Sequence, residues 1–375
     1  MIGLYVHIPF CARRCHYCNY VVTTRRSPDS RAHFLAALGK EIHHASEIYG
    51  RLSFDTLYLG GGTPSALAPG EMEQVFRLIC GAFVIKEDAE ITCEVNPGDA
   101  TDEKLDCYRK LGINRISLGV QSFDDRHLRE MGRIHGSKEI YETYGALRER
   151  EFGNLSIDLI DRLPGQSLGE WEKTLSEASS LGPEQIVVYD LNVHPGTLFG
   201  SRAERGTLPL PSQEDHEALW DNTERMLVEE GCYLQYEISS FAKRGFESRH
   251  NLIYWHNEEY LGLGPGAFSY LRAHRYVFAQ NMNRYLEKIS RSDWVRDDET
   301  RIGPREKEME SVLTGLRLRE GICLSDYPLI RGELQEGISK LEEAGLLVME
   351  DANLKLTRRG RCLAETVFTE LSLTR

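Results

Sequence analysis

Cys11, Cys15 and Cys18 form a C-x3-C-x2-C run within the stretch Tyr5 to Tyr20, which reads Y-V-H-I-P-F-C-A-R-R-C-H-Y-C-N-Y. Iron–sulfur clusters are held by cysteine thiolates, and a loop of this spacing can give three of them to one four-iron four-sulfur (4Fe-4S) cluster; no nearby cysteine supplies the usual fourth. One iron then stays open for a ligand that is not protein. Two other readings stand beside this one. At i, i+4 and i+7 the cysteines could form a buried helical stripe, since free cysteine packs as a small hydrophobe. Pro9 upstream and the polar Arg13, Arg14 and His16 between them favour an exposed loop instead. A zinc site would need a fourth cysteine or histidine, and His7 and His16 are available.

The elements around the run decide what else can reach it. Leu4 to Ile8 has the alternation of a short strand and delivers the cysteine loop from its C-terminal end. Helical spacing over Arg31 to Tyr49 follows, then a strand over Phe54 to Leu59 that ends in Gly60-Gly61-Gly62-Thr63-Pro64, where glycines allow a ligand to approach the backbone. Strand and helix keep alternating: strands at Glu90 to Val95, Arg115 to Val120, Leu155 to Ile160 and Gln185 to Leu191, with helices between them and a last one at Asp215 to Gly231. Such alternation predicts a parallel sheet with right-handed crossovers, so every strand's C-terminal end lies on one rim. The expected fold is α/β, an incomplete parallel barrel of about six strands; an open doubly wound sheet would suit a glycine fingerprint where this chain has cysteines. The rim then gathers the cysteines, Gly60 to Pro64, Glu94, Asn96 and Pro97, Gln121 and Ser122, and Asp158. Barrel active sites sit on that rim.

Composition bounds the function. The chain has 375 residues, enough for one large domain and a smaller appendage, with 41% hydrophobic and 27% charged residues. A formal charge of -13 argues against nucleic acid as a partner, because affinity for phosphates comes from lysine and arginine excess. No apolar run is long enough to span a membrane and the N-terminus shows no leader pattern, so a cytoplasmic protein is expected. Nine cysteines, six of them scattered singly, make no disulfide framework and fit a reducing compartment.

The cysteine spacing, with an aromatic residue before the third, resembles the radical S-adenosylmethionine (SAM) superfamily. That resemblance implies that the open iron chelates the amino and carboxylate groups of SAM. On this reading Glu94 could accept hydrogen bonds from the amino group or ribose, Gly61 and Gly62 could receive the methionine portion, and Arg133 could bind a carboxylate bidentately. Further strings narrow the match over nearly the entire chain: L-G-G-G-T-P-S, E-V-N-P, G-V-Q-S-F, G-R-I-H, D-L-I-D-R-L-P-G-Q and H-N-L-I-Y-W. They resemble the oxygen-independent coproporphyrinogen III oxidase family and, within it, the HemW heme chaperones. The family pattern implies that Tyr5, Gly61, Glu94 and the cysteines serve the cluster-bound SAM, and that Gly62, Thr63, Gln121, Arg133 and Asp158 match positions that hold a second SAM in the oxidases. Two departures discriminate. The oxidases have a further cysteine where this chain has Tyr20, whereas HemW-type chains carry an aromatic residue there; Arg162 stands where the family has glycine, a bulky cation that would fill or reshape the second SAM place.

Beyond the barrel, Tyr236 to Tyr270 is rich in aromatics and glycine. Imidazole is a common heme ligand, and His250, on an expected loop beside Tyr254 and Trp255, is the candidate axial ligand. The resemblance implies this, since H-N-x-x-Y-W is the motif HemW proteins use for heme; His256 is the reserve. From Arg305 onward, helices and a terminal hairpin at Leu346 to Leu356 resemble a winged helix, but 11 basic against 13 acidic residues give no phosphate-binding face, so a cap or protein-docking role is expected. The expected division is residues 1–235 as the barrel, 236–304 as a connecting segment with the heme motif, and 305–375 as the C-terminal domain. The resemblance implies a chaperone that carries the cluster and SAM, binds heme and passes it to an acceptor protein, with peripheral contact to a membrane-bound acceptor allowed. The alternative is an oxygen-independent coproporphyrinogen III oxidase or another radical SAM enzyme acting on a porphyrin.

Overall fold

The computed structural model describes residues 1–373. The first half alternates as expected: β1 (Ile2–Ile8), α1 (Pro28–Tyr49), β2 (Ser53–Gly61), α2 (Pro69–Ala82), β3 (Val84–Val95), α3 (Asp102–Lys110), β4 (Arg115–Gln121), α4 (Asp125–Glu130), α5 (Ser137–Glu149), β5 (Leu155–Asp161), α6 (Leu168–Leu181) and β6 (Gln185–Asp190). Then come α7 (Leu198–Glu204), α8 (Gln213–Glu224), β7 (Leu234–Glu237), β8 (Ser240–Ala242), α9 (Arg249–Trp255), β9 (Glu259–Leu263), β10 (Phe268–Leu271), β11 (His274–Val277), α10 (Met282–Ser290) and β12 (Asp298–Arg301). The C-terminal part holds α11 (Pro304–Gly315), β13 (Ile322–Cys323), α12 (Arg331–Glu343), β14 (Leu347–Glu350), β15 (Asn353–Leu356), α13 (Arg358–Cys362) and α14 (Ala364–Leu373).

Strands β1 to β6 lie side by side in chain order, all parallel, so their C-terminal ends share one rim. The expectation of six strands is corrected: the sheet has twelve, ordered β12-β11-β10-β9-β1-β2-β3-β4-β5-β6-β8-β7. Residues 236–304, expected as a connector, supply β8 and β9 to β12; β9 pairs parallel with β1, and β8 pairs antiparallel with β6. These added strands are three to five residues long, too short to display a period of their own.

The barrel-side core is made where strand and helix periods meet. Leu4, Val6 and Ile8 of β1 are fully buried, as are Leu57 and Leu59 of β2 and Leu38 of α1. Local chemistry fixes the helix ends: Ser27 caps α1 ahead of Pro28, and Ser167 with Glu170 forms a capping box on α6, which ends at Gly182 in the left-handed conformation. A second hydrophobic cluster joins α11, α12 and α14 to the small sheet β13-β15-β14, and Trp220 and Ile238 reach into it from the larger unit. The β14–β15 hairpin turns at Asp351 and Ala352, both at positive φ, the backbone that matches strand twist in a two-residue turn.

Candidate functional site

The cysteine run is a loop, not a helical stripe. Backbone bonds pin it at both ends: the Cys11 N–H donates to Thr23 O at 3.0 Å, the Thr23 N–H to Pro9 O at 2.7 Å, and the His16 N–H to Met131 O at 2.9 Å. The two histidines available as a fourth zinc ligand are engaged elsewhere. His16 Nδ1 bonds the Glu130 carbonyl at 2.7 Å, and His7 lies between the Tyr5 hydroxyl at 3.1 Å and the Val21 carbonyl at 2.7 Å. Burial lowers the His7 pKa to about 4, so it is neutral. All three thiols line one cavity of about 590 Å³, a size in the range of ligand pockets.

The rim brings the sequence-predicted residues to that cavity. Tyr5, Gly61, Gly62, Thr63, Glu94 and Gln121 line it, as do Arg133 and Asp158. Glu94 accepts from the Tyr58 hydroxyl at 3.0 Å and the Gly61 N–H at 3.1 Å, and Asp158 accepts from Ser117 at 2.6 Å. Burial, then the Asp158 charge, raises the Glu94 carboxyl to about 7; burial also raises Asp158 to about 6. The site therefore holds two carboxyls that gain from a cationic partner. Gly61 sits at φ 113°, and a Cβ there would meet the His7 ring at 2.6 Å; at Gly62 it would meet the Pro9 backbone at 2.8 Å. Both glycines are required by close packing against the start of the cysteine loop.

Arg133 ties the loop to the sheet. It donates to Asn96 Oδ1 and the Gly119 carbonyl at 2.6 Å each, and to Cys15 Sγ at 3.6 Å. Gln121 closes β4 at φ 69°, where the β4–β5 register shifts; a non-glycine residue there is strained backbone of the kind that functional sites retain.

His250 requires a correction. It lies on α9 rather than on a loop, is 1% exposed, and does not line the cavity. Its Nδ1 bonds Thr56 Oγ1 at 2.7 Å and its Nε2 bonds the Tyr254 hydroxyl at 2.8 Å, so neither nitrogen is free for iron in this conformation. Burial lowers its pKa to about 3. The same helix turns Asn251 and Tyr254 to the cavity instead. Arg162 also stays off the cavity wall, paired with Asp190 at 3.5 Å.

Sequence reasoning missed Tyr58, Ser117, Tyr189 and His194 on the wall. Tyr58 was within reach: it is the register partner of Tyr5, and the two rings stack with centroids 6.0 Å apart. His194 follows β6 on the same rim, where the phase of the strands would have placed it.

The donor set fits a cluster with one open iron. Burial pushes the Cys11 thiol up to about 11, so its thiolate needs a cationic centre beside it, and Arg133 offers an N–H to the Cys15 sulfur, a contact that tunes such clusters.

Residues 5–178 match the radical SAM superfamily, and residues 304–363 match the HemN C-terminal domain. The heme chaperone HemW of Bacillus subtilis (strain 168) is 33% identical over 98% of each chain. The mitochondrial radical S-adenosyl methionine domain-containing protein 1 of Danio rerio is 31% identical over 99% of this chain and 87% of its own. In fold, the chain is similar to the solved structure of the Escherichia coli coproporphyrinogen III oxidase HemN, a radical SAM enzyme, with a TM-score of 0.86 and 23% identity over 99% of this chain and 90% of that one.

Proposed function

The chain belongs to the HemW heme chaperone family, and from that premise we propose that it binds heme and passes it to an acceptor protein while carrying a 4Fe-4S cluster and SAM. The observation that carries the reading is convergence: the three thiols after β1, Gly61 and Gly62 at the end of β2, the Glu94 and Asp158 carboxyls of β3 and β5, and the Arg133 guanidinium between α4 and α5 meet in one cavity. Cys11, Cys15 and Cys18 would hold the cluster, which supplies one-electron chemistry when bound.

The chain's other residues bind and orient. Glu94, held by Tyr58 and the Gly61 N–H, presents a carboxyl to a cationic amino group; Gly61 and Gly62 keep the wall flat for the methionine portion; Tyr5 stacks on Tyr58 at its side. Thr63 touches Cys11 Sγ at 3.6 Å and accepts from Asn96 Nδ2 at 2.8 Å, which steadies the first ligand. Gln121 and Asp158 take polar groups deeper on the rim, and Arg133 supports the Cys15 sulfur. His250 stays the proposed axial ligand for heme, and its bonds to Thr56 and the Tyr254 hydroxyl are what iron would have to displace at one nitrogen. Residues 1–235 act as the cluster unit, with a core continued by residues 236–304, and 305–375 as a docking or capping unit built on a second hydrophobic cluster that Trp220 and Ile238 join. A cytoplasmic setting is part of the proposal: all nine cysteines are free, and no described helix is long and apolar enough to cross a membrane.

Transfer tests the reading. Cluster-loaded protein is given one equivalent of heme, freed of excess, and mixed with a heme-free heme protein whose absorbance differs from that of the donor. Movement of the heme band to the acceptor, faster than from a free-heme control scavenged by albumin, supports a chaperone. Retention of all heme, or no stoichiometric binding at the start, overturns it.

A further inference from the structure

The two ring nitrogens of His250 face different surroundings. The ring lies against Gly3 of β1, where a Cβ would come within 3.1 Å of its Cε1, and its centroid is 5.0 Å from that of Tyr58 on β2. The backbone N–H donates to the Glu90 carboxylate at 3.0 Å, which fixes the first turn of α9. Nδ1 meets Thr56 Oγ1 at 2.7 Å, a fully buried hydroxyl of β2 with no other hydrogen bond among the described residues. That nitrogen faces the sheet. Nε2 meets only the Tyr254 hydroxyl, at 2.8 Å.

Tyr254 is held far less firmly than the imidazole. It is half-buried, lines the cavity that the three thiols line, and its hydroxyl makes no other hydrogen bond among the described residues. On its other side stands the Tyr260 ring, edge-on at 4.7 Å. Tyr260 is backed by Arg275, which is paired with Glu310 at 2.9 Å. The space open to the phenol is therefore the cavity.

We infer that Tyr254 is a gate on the heme ligand: iron takes Nε2 of His250 from the cavity side once the phenol has swung away, while Thr56 stays bonded to Nδ1 as a positioning residue. The inference rests on the reading of His250 as axial ligand and adds the nitrogen, the route and the gate. Iron binds the lone pair of a neutral imidazole nitrogen, so the ring proton sits on Nδ1, where Thr56 Oγ1 accepts it. Without iron, the Nε2 lone pair accepts from the Tyr254 O–H, which keeps a buried nitrogen satisfied. One hydrogen bond is exchanged for one coordinate bond, and no proton leaves the ring. Such a cover suits a carrier, because the phenol can return to Nε2 as the iron departs.

The experiment mixes hemin with the full cluster-loaded chain by stopped flow and titrates the complex by absorbance and by electron paramagnetic resonance of the ferric form. In wild type the observed rate should level off at high hemin, because ligation waits for the phenol to leave. In Tyr254→Phe the rate should rise linearly over the same range. Hemin should also bind that variant about fivefold more tightly, the worth of one neutral hydrogen bond, with cluster absorbance unchanged. Thr56→Val should weaken hemin severalfold and shift the resonance of the histidine-ligated iron, and Thr56→Ser, which keeps the acceptor, should restore both. A Tyr254→Phe variant that keeps the plateau and the wild-type affinity would overturn the gate. Weaker binding with a lost ligand signature would overturn it as well, by making the phenol itself a ligand. Undiminished hemin binding and an unchanged resonance in His250→Ala would instead overturn the reading of His250 as the ligand, a result separate from any seen in Tyr254→Phe.

Discussion

Arg133 Nη1 lies 3.6 Å from Cys15 Sγ, so one guanidinium anchored on the β3 and β4 ends steadies a sulfur on the loop that follows β1. Replacing Arg133 by alanine removes the donors to Asn96 and the Gly119 carbonyl together with the N–H to sulfur. A loss of about 2 kcal/mol in unfolding free energy is expected, on the order of the cost of orphaned polar partners. The cluster should also bleach faster in air. Lysine cannot span the three acceptors and should recover only part of both. Thermal unfolding of the apo-protein and the cluster absorbance decay check this; a variant as stable as wild type in both would remove Arg133 from the site's support.

Glu94 sets a pH dependence. Burial, with the Asp158 charge behind it, raises its carboxyl from the ordinary 4.5 to about 7. The protonated form is therefore favoured in the fold, and this contribution to stability is lost as pH rises from about 4.5 through 7. A cationic amino group bound there wants the carboxylate, so SAM affinity should rise with pH up to about 7 and then level off, by up to tenfold per pH unit below it. Calorimetry in buffers of different ionisation enthalpy should show proton release on binding near pH 6. Glu94→Gln should bind more weakly and without the slope.

Gly61 admits no side chain without movement. Gly61→Ala adds a Cβ at 2.6 Å from the His7 ring on a backbone with φ 113°. Strain at such a position costs on the order of 1–3 kcal/mol. Because His7 also holds Val21 beyond the cysteine loop, the variant should reconstitute less cluster per chain as well as unfold at lower temperature. Iron and sulfide counts equal to wild type would contradict the link between the two loops.

Glu224 fastens the C-terminal unit. Its Oε1 accepts from Arg361 Nη2 at 2.6 Å with both side chains under 10% exposed, and Arg358 reaches Oε2 at 3.0 Å. Glu224→Ala leaves the buried Arg361 charge without its partner, a change expected to cost about 3 kcal/mol. Limited proteolysis should then cut between the two units, near residue 303, before the rest of the chain. Simultaneous Glu224→Leu, Arg361→Leu should recover much of the loss.

What was legible in the sequence follows from range. The cysteine loop was legible because its ligands lie within one short segment, and Glu94, Gln121 and Asp158 because parallel strands place their ends in phase. The edges of the sheet were not: β10, β11 and β12 are each four residues long and owe their pairing to distant partners such as His274 with Arg301. His250 was placed on a loop for a related reason. The string H-N-L-I-Y-W has the ligand types of a loop motif, but on the seven-residue helix α9 it buries His250 and Ile253 and turns Asn251 and Tyr254 to the cavity. Tyr189 and His194 needed the β6 end to be placed before their side chains could be read as cavity wall.

On the proposed reading this cavity serves a carrier of heme rather than a porphyrin-decarboxylating enzyme. An anaerobic assay of cluster-loaded protein with SAM, reductant and coproporphyrinogen III, with heme titrated into a parallel sample, separates the two. One heme bound per chain and no decarboxylated porphyrin are expected. SAM-dependent product over many turnovers would contradict the carrier reading and make the chain an oxidase.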